Sequence, residues 1–83
     1  MLLESTVLGY TFDEMRKELE IFRGKPLSVS THRYRINKLS LLPEESGYYS
    51  VKSLDTLKKL DRFLSKSGTS IGLFIQVMNN ASS

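Results

Sequence analysis

The chain contains no cysteine, and it has only one histidine and two prolines. Without cysteine there can be no disulfide bond, no thiolate metal site and no cysteine nucleophile. A zinc site needs more ligands than a single histidine supplies. We therefore interpret His32 as a core residue with its hydrogen bonds satisfied, and we predict neither a metal nor a cofactor.

Long apolar runs and catalytic motifs are missing as well. No run approaches the roughly 18 to 20 apolar residues that span a bilayer, and no basic segment precedes an apolar one at the start, so we expect a cytoplasmic protein. There is no Gly-rich phosphate loop, and the carboxylate pair that could be considered for catalysis, Glu44 and Glu45, lies on a predicted turn. The sequence predicts a protein that is not an enzyme.

What the chain does have is the composition of a small globular domain. It has 83 residues, of which 40% are hydrophobic and 25% charged, and at this length a single small core is expected. We predict one domain over residues 1–83, in which residues 69–83 are a candidate dimerisation segment with a frayed end.

The basic residues are concentrated in the middle of the chain. Residues 23–43 hold five basic residues and no acid, whereas residues 1–22 hold five acids and two bases. Such a segment is either a solvated basic face or a surface for a polyanion. The basic character of the chain therefore belongs to residues 23–43.

The first predicted helix begins after Thr11. Thr11 and Glu14 have the spacing of a capping box, in which each side chain bonds the other residue's backbone N–H. Gly24 is a suitable left-handed end, and Pro26 prevents continuation. Apolar residues recur every three or four positions to form one buried stripe, namely Phe12, Met15, Leu19 and Phe22.

A second helix is predicted from Leu27 or Ser28 to a point before Pro43, after a connection short enough for a helix-turn-helix. Its inward face has the helical spacing of Val29, His32, Ile36 and Leu39. The opposite face carries hydroxyls, an amide, an aromatic ring and cations, all of which bond phosphate oxygens or base edges. These residues are Ser30, Thr31, Tyr34, Arg35, Asn37 and Lys38, with Arg33 on the flank.

After Pro43 the pattern changes to turn residues followed by Tyr48 and Tyr49, which favour a tight turn or a small β wing. Ser50 or Ser53 is a suitable cap for a third helix that ends at Gly68. Its apolar face consists of Val51, Leu54, Leu57, Leu60, Phe63 and Leu64. Ser70 can cap a fourth helix over the apolar residues 71–78, although a strand is also compatible with them.

Five of these pieces, taken in order, resemble the DNA-binding domain of the MerR family of transcriptional regulators. They are Tyr-Thr-Phe-Asp-Glu-Met at 10–15, Val-Ser-Thr-His-Arg-Tyr at 29–34, Leu-Leu-Pro at 41–43, Gly-Tyr-Tyr-Ser at 47–50 and Ser-Gly-Thr-Ser-Ile at 67–71. The short length is similar to that of the compact MerR-like repressors encoded beside type V-K CRISPR systems.

The resemblance implies a mainly α fold, a winged helix-turn-helix of three to four helices with a short β wing, and a sequence-specific regulator of transcription on double-stranded DNA. The chain departs from the family pattern in the wing, which is about two residues shorter and lacks an Arg after Gly-Tyr, and at His32, where the family has Leu. The expected DNA contacts are Ser30, Thr31, Arg33, Tyr34, Arg35, Asn37 and Lys38 of the helix and Tyr48 and Tyr49 of the wing.

The C-terminal apolar segment has more large side chains than one face of a short helix can bury. We expect a homodimer that binds an inverted repeat and represses transcription, with no small-molecule effector. The dimer interface would consist of Ile71, Leu73, Phe74, Ile75, Val77 and Met78, aided by the apolar N-terminal residues Leu2, Leu3, Val7 and Leu8. Alternatively, the two termini cover one another within a monomer.

Two other functions are compatible with the sequence. An excisionase-like architectural protein uses a small winged helix to bend DNA. A protein-binding adaptor would dock its basic helix on an acidic partner and use the apolar C-terminal segment as an interface.

Overall fold

The computed structural model describes residues 9–81, and it confirms that the fold is mainly α. Four helices follow one another along the chain: α1 (Phe12–Arg23), α2 (Val29–Lys38), α3 (Val51–Leu64) and α4 (Ile71–Ala81). The N-terminal apolar residues proposed to assist a dimer, Leu2, Leu3, Val7 and Leu8, lie outside the described residues. No described helix is both long enough and apolar enough to cross a membrane.

Each helix begins where a hydroxyl side chain caps it. Thr11 and Glu14 form the predicted capping box of α1, and Gly24 ends that helix in a left-handed conformation with a φ of 73°. Ser50, rather than Ser53, caps α3. Residues 71–78 belong to a helix and not to a strand. Ser70 caps this helix, since its side chain accepts a hydrogen bond from the backbone N–H of Leu73.

The predicted wing is reduced to a turn with a single β bridge. Tyr10 and Tyr49 exchange two backbone hydrogen bonds of 2.8 Å, and no strand is present between residues 9 and 81. Glu44 and Gly47 close the turn through a 2.8 Å backbone bond. Because α1 begins at Phe12 and α3 at Val51, the bridge does not extend into a ladder within the described residues.

The core lies between α1 and α3 and is closed on its sides by α2 and α4. His32 and Ile36 are buried as their spacing predicted. Val29 and Val51 are not, because each is the first residue of its helix, beyond the part that the core covers. The buried apolar residues are Met15, Leu19, Leu27, Ile36, Leu54, Leu57, Leu60 and Phe74.

Helix α4 packs against α3 through Phe74, whose ring centroid lies 5.4 Å from that of Phe63. Phe74 is only 5% exposed. The structure therefore places Phe74 in the core of its own chain, which leaves little of its side chain exposed for the predicted dimer interface. Ile71 and Ile75 are half-buried, while Leu73, Val77 and Met78 are exposed.

Candidate nucleic-acid interface

One side of α2 forms a continuous exposed surface. Its residues recur at the three- and four-residue spacing that keeps side chains on one face of a helix, and together they line a shallow open depression. We call this the α2 surface; it consists of Val29, Ser30, Arg33, Tyr34 and Asn37. Val29 is an addition to the residues predicted from the sequence.

Two cations of α2 are held against aromatic rings. The guanidinium carbon of Arg33 lies 4.8 Å from the ring centroid of Phe12 in α1, and Lys38 Nζ lies 5.8 Å from that of Tyr34. Such contacts restrict long side chains at a modest free-energy gain, about 0.5 to 1 kcal/mol at exposed sites. Arg33 is therefore partly oriented before any ligand arrives.

The hydroxyls at the start of α2 belong to its cap. Ser28 Oγ accepts a bond from the backbone N–H of Thr31 and donates one of 2.9 Å to Thr31 Oγ1. Thr31 is half-buried, whereas Ser30 is exposed. Of the two predicted hydroxyl contacts, Ser30 is thus the one that the structure leaves on the α2 surface.

The structure corrects the placement of Arg35. Its Nη1 lies 3.1 Å from Asp61 Oδ1 of α3, and its side chain is only 12% exposed. Arg35 stands two residues from Asn37, which puts it about 160° around the helix from the α2 surface. It fixes the position of α2 and is not available to a base edge in this arrangement.

The same carboxylate also contacts α1. Arg23 Nε lies 3.3 Å from Asp61 Oδ1, and all three side chains are less than 15% exposed. Arg23 lies in the last turn of α1 and Arg35 in the last turn of α2, where the helix dipoles favour positive charge. Asp61 therefore joins three helices with its charge well compensated.

A second clamp fixes the connection between α1 and α2. Glu20 accepts the backbone N–H of Leu27 at 2.8 Å, and Arg16 donates to the Leu27 carbonyl at 3.1 Å. Arg16 and Glu20 are themselves 3.4 Å apart. Both the backbone N–H and the carbonyl of Leu27 are thereby bonded to side chains of α1, which fixes the turn that leads into α2.

His32 secures α2 to the start of α1. It is completely buried, and its Nε2 lies 3.2 Å from the Phe12 carbonyl oxygen, which can accept a hydrogen bond only if Nε2 carries a proton. Nδ1 is then an unprotonated nitrogen without a hydrogen-bond partner. Burial lowers the pKa of His32, an effect that the bond to Phe12 partly opposes.

Tyr48 and Tyr49, which the sequence predicted to lie in a wing, are half-buried, and Tyr49 packs against the core. Residues 40–50 contain no basic residue, and the turn presents two exposed acids, Glu44 and Glu45. The two acids at the tip of the turn repel phosphate. The geometry therefore favours a structural role for Tyr48 and Tyr49 over a contact with DNA.

A basic row along α3 was not predicted from the sequence. Residues 44–83 hold five basic residues whose charge is nearly cancelled by four acids, although Glu44 and Glu45 lie on the turn and Asp61 is paired with arginines. The signal that identifies the row is that several of its bases are three or four residues apart. This row, which we call the α3 stripe, consists of Lys52, Lys58, Lys59 and Arg62 in α3 and Lys66 just after the end of the helix.

No group of three or more histidine, aspartate and glutamate side chains within residues 9–81 is arranged to hold a metal ion. Comparison of the chain with protein-family models, with curated proteins and with solved structures gave no match.

Proposed function

We propose that this protein binds double-stranded DNA through α2 and acts as a sequence-specific regulator of transcription, most simply as a repressor. The observation that carries the proposal is the α2 surface, an exposed helical face with a hydroxyl, a guanidinium, a phenol and an amide. It lies within a stretch of 21 residues, 23–43, that has no acid to repel phosphate. The resemblance of the chain to MerR-type domains points to the same function.

The dimensions of α2 suit a major groove. Ten helical residues extend about 15 Å, and an α-helix fits the groove width of about 12 Å. Asn37 is suited to bidentate bonds with adenine and Arg33 to bidentate bonds with guanine, each worth roughly 1 to 3 kcal/mol of discrimination. Ser30 and Lys38 lie nearer the ends of the helix, where phosphate contacts fix its register.

The rigid mounting of α2 supports this interpretation. Its inward side is fixed by the bond of His32 to Phe12 and by the ion pair of Arg35 with Asp61. A recognition helix, which contacts the base edges, needs such support, because loosely held binding groups lose affinity and specificity. We interpret the bridged turn at 44–49 as the counterpart of a wing and expect it to make no phosphate contact.

We further propose that two copies associate through α4. Leu73, Val77 and Met78 remain 40 to 47% exposed, and residues 67–83 contain no charged residue. Around a two-fold axis each surface meets its own copy, so an uncharged surface pairs with itself without repulsion. Three side chains cannot supply the roughly 800 Å² per partner of a standard interface. We therefore expect a weak dimer that forms most readily on adjacent DNA half-sites.

Selection of bound sequences from a pool of random duplexes tests the function. We expect the wild type to enrich an inverted repeat and the double variant Arg33→Ala/Asn37→Ala to enrich none. Lys17→Ala, which removes an exposed cation from α1, is the control that should select the same site. A protein that binds duplex but enriches no sequence would favour an architectural role, and one that binds no duplex at low salt would contradict the proposal.

A further inference from the structure

The α3 stripe is the most strongly charged surface on the described part of the chain that the proposed function does not use. Its five bases are accompanied on the same outer side of α3 by one acid, Asp55. Four of the five bases are exposed, and the half-buried one, Lys58, remains at the surface beside Phe22. Surface charges of one sign are usually interspersed with the other, so this stripe is a concentrated positive field.

The spacing of the stripe matches an extended ligand. Within α3, Lys52 and Arg62 are separated by ten residues, which corresponds to about 15 Å along the helix. That length covers about four base pairs of duplex at 3.4 Å each. A compact anion would engage one or two of these residues, whereas a polyanion can engage the whole row.

The chemistry of the stripe favours a phosphate backbone over a protein partner. Protein interfaces depend on aromatic and apolar anchors. The neighbouring ring of Phe22 is covered, with Lys58 Nζ at 5.5 Å and the Arg62 guanidinium carbon at 5.3 Å from its centroid. Four of the five bases are lysines, which act as point charges toward phosphate and do not form the bidentate base contacts of arginine.

One side of the α3 stripe points away from α2. Asp61 marks the side of α3 that meets α2, since it bonds Arg35. Lys52 and Lys59 stand nine and two residues from Asp61, which places them about 160° to 180° around the helix from it. A straight duplex lying on the α2 surface therefore does not reach these lysines.

We infer that the α3 stripe binds the sugar-phosphate backbone of a second segment of duplex DNA without reading its sequence. The inference rests on the proposed function for the first duplex, which occupies the α2 surface. One molecule then holds two duplex segments at once. A protein that does so bends or bridges DNA in addition to occupying its site.

Capture of a second duplex tests this inference. A duplex of about 20 base pairs, far below the persistence length of about 150 base pairs and so unable to fold back, is attached to beads. Pure protein is added, followed by a fluorescent duplex of the same length. We expect the wild type to retain the fluorescent duplex, and we expect Lys52→Gln/Lys59→Gln to reduce its retention at least about ten-fold, because two phosphate contacts are lost.

The matched control is Lys17→Gln/Lys25→Gln, which removes the same two charges at exposed positions outside both surfaces. It should retain the second duplex, and both double variants should keep the thermal stability of the wild type. Retention that is unchanged in the stripe variant, or lost equally in the control, would overturn the inference. A wild type that binds the bead duplex but retains no second one overturns this inference alone, whereas binding to neither duplex overturns the proposed function with it.

Discussion

The carboxylate of Asp61 in α3 bonds the guanidinium of Arg35 in α2 at 3.1 Å, across 26 residues of sequence. Both side chains are more than four-fifths buried. This pair turns Arg35 inward and leaves the opposite side of α2, with Arg33 and Asn37, facing solvent. The orientation of α2 is thus set partly by Arg35, which faces away from the surface that we propose to bind DNA.

Asp61→Asn should destabilise the fold. The substitution leaves Arg23 and Arg35 close together without the charge that they share, and losing a largely buried charged hydrogen bond costs roughly 2 to 3 kcal/mol. Urea denaturation measures the change in the free energy of unfolding. Asp55→Asn, at an exposed acid on the same helix, should change the free energy of unfolding by less than about 0.5 kcal/mol. If Asp61→Asn has no larger effect than Asp55→Asn, the ion pairs of Asp61 with Arg23 and Arg35 do not stabilise the fold.

Stability should depend on pH through His32. Its pKa is lowered in the fold by burial, so between that pKa and the unfolded value of about 6.5 the unfolded chain binds a proton that the folded chain does not. The free energy of unfolding should therefore fall as pH drops below about 6.5 and stop falling below the folded pKa, with a slope of at most about 1.4 kcal/mol per pH unit.

Denaturation of wild type and His32→Gln at a series of pH values checks this dependence. His32 is the only histidine, and carboxyl groups titrate closer to pH 4. The variant should therefore lose the slope between pH 5 and 6.5 whatever its absolute stability. A slope that survives in His32→Gln would assign the effect to another group.

Two glycines should respond to alanine in opposite directions. Gly9 has a φ of 142°, and a Cβ there would lie 2.5 Å from the Tyr49 carbonyl oxygen, so Gly9→Ala should break the Tyr10–Tyr49 bridge. We expect a loss of about 1 to 3 kcal/mol. A Cβ added at Gly72, in α4, would lie 3.9 Å from Ser70 Oγ, which is an ordinary contact distance. Gly72→Ala should therefore stabilise the helix by about 0.5 to 1 kcal/mol. Thermal melts of both variants measure the difference, and a Gly9→Ala protein as stable as wild type would show that the bridge is dispensable.

Charge on α4 should prevent self-association. Leu73→Glu and Val77→Glu place a carboxylate on the surface that we propose to meet its own copy, where like charges repel. Sedimentation of the protein with and without DNA should show dimers for the wild type at high concentration and monomers for the variants. Val51→Glu, at another exposed apolar residue, is the control. A wild type that stays monomeric both free and on DNA would contradict the dimer.

The helices could be predicted from the sequence because their signals are local. The capping box at Thr11 and Glu14, the left-handed Gly24 and the buried spacing of His32 and Ile36 each involve neighbouring residues of one helix. Residues 71–78 were ambiguous between helix and strand because an almost uniformly apolar run has no period to distinguish the two.

The site was harder to predict because its arrangement depends on distant partners. Nothing near Arg35 in the sequence indicates that Asp61 would turn it inward. Phe74 had a partner in Phe63 of the preceding helix, which removed it from the expected dimer surface. The α3 stripe was hidden for a third reason, since a sum of charges along a segment does not show which charges share a face.

The most direct test of DNA binding by α2 is the dependence of duplex affinity on salt concentration. If Arg33 contacts a phosphate or a base on the α2 surface, Arg33→Ala should weaken binding, and loss of a phosphate contact should reduce the slope of log K against log salt concentration by about one. Lys17→Ala, with the same change in charge on the outside of α1, should leave the slope as in the wild type. Equal slopes and affinities for Arg33→Ala and wild type, or no binding of duplex by the wild type at low salt, would contradict the account.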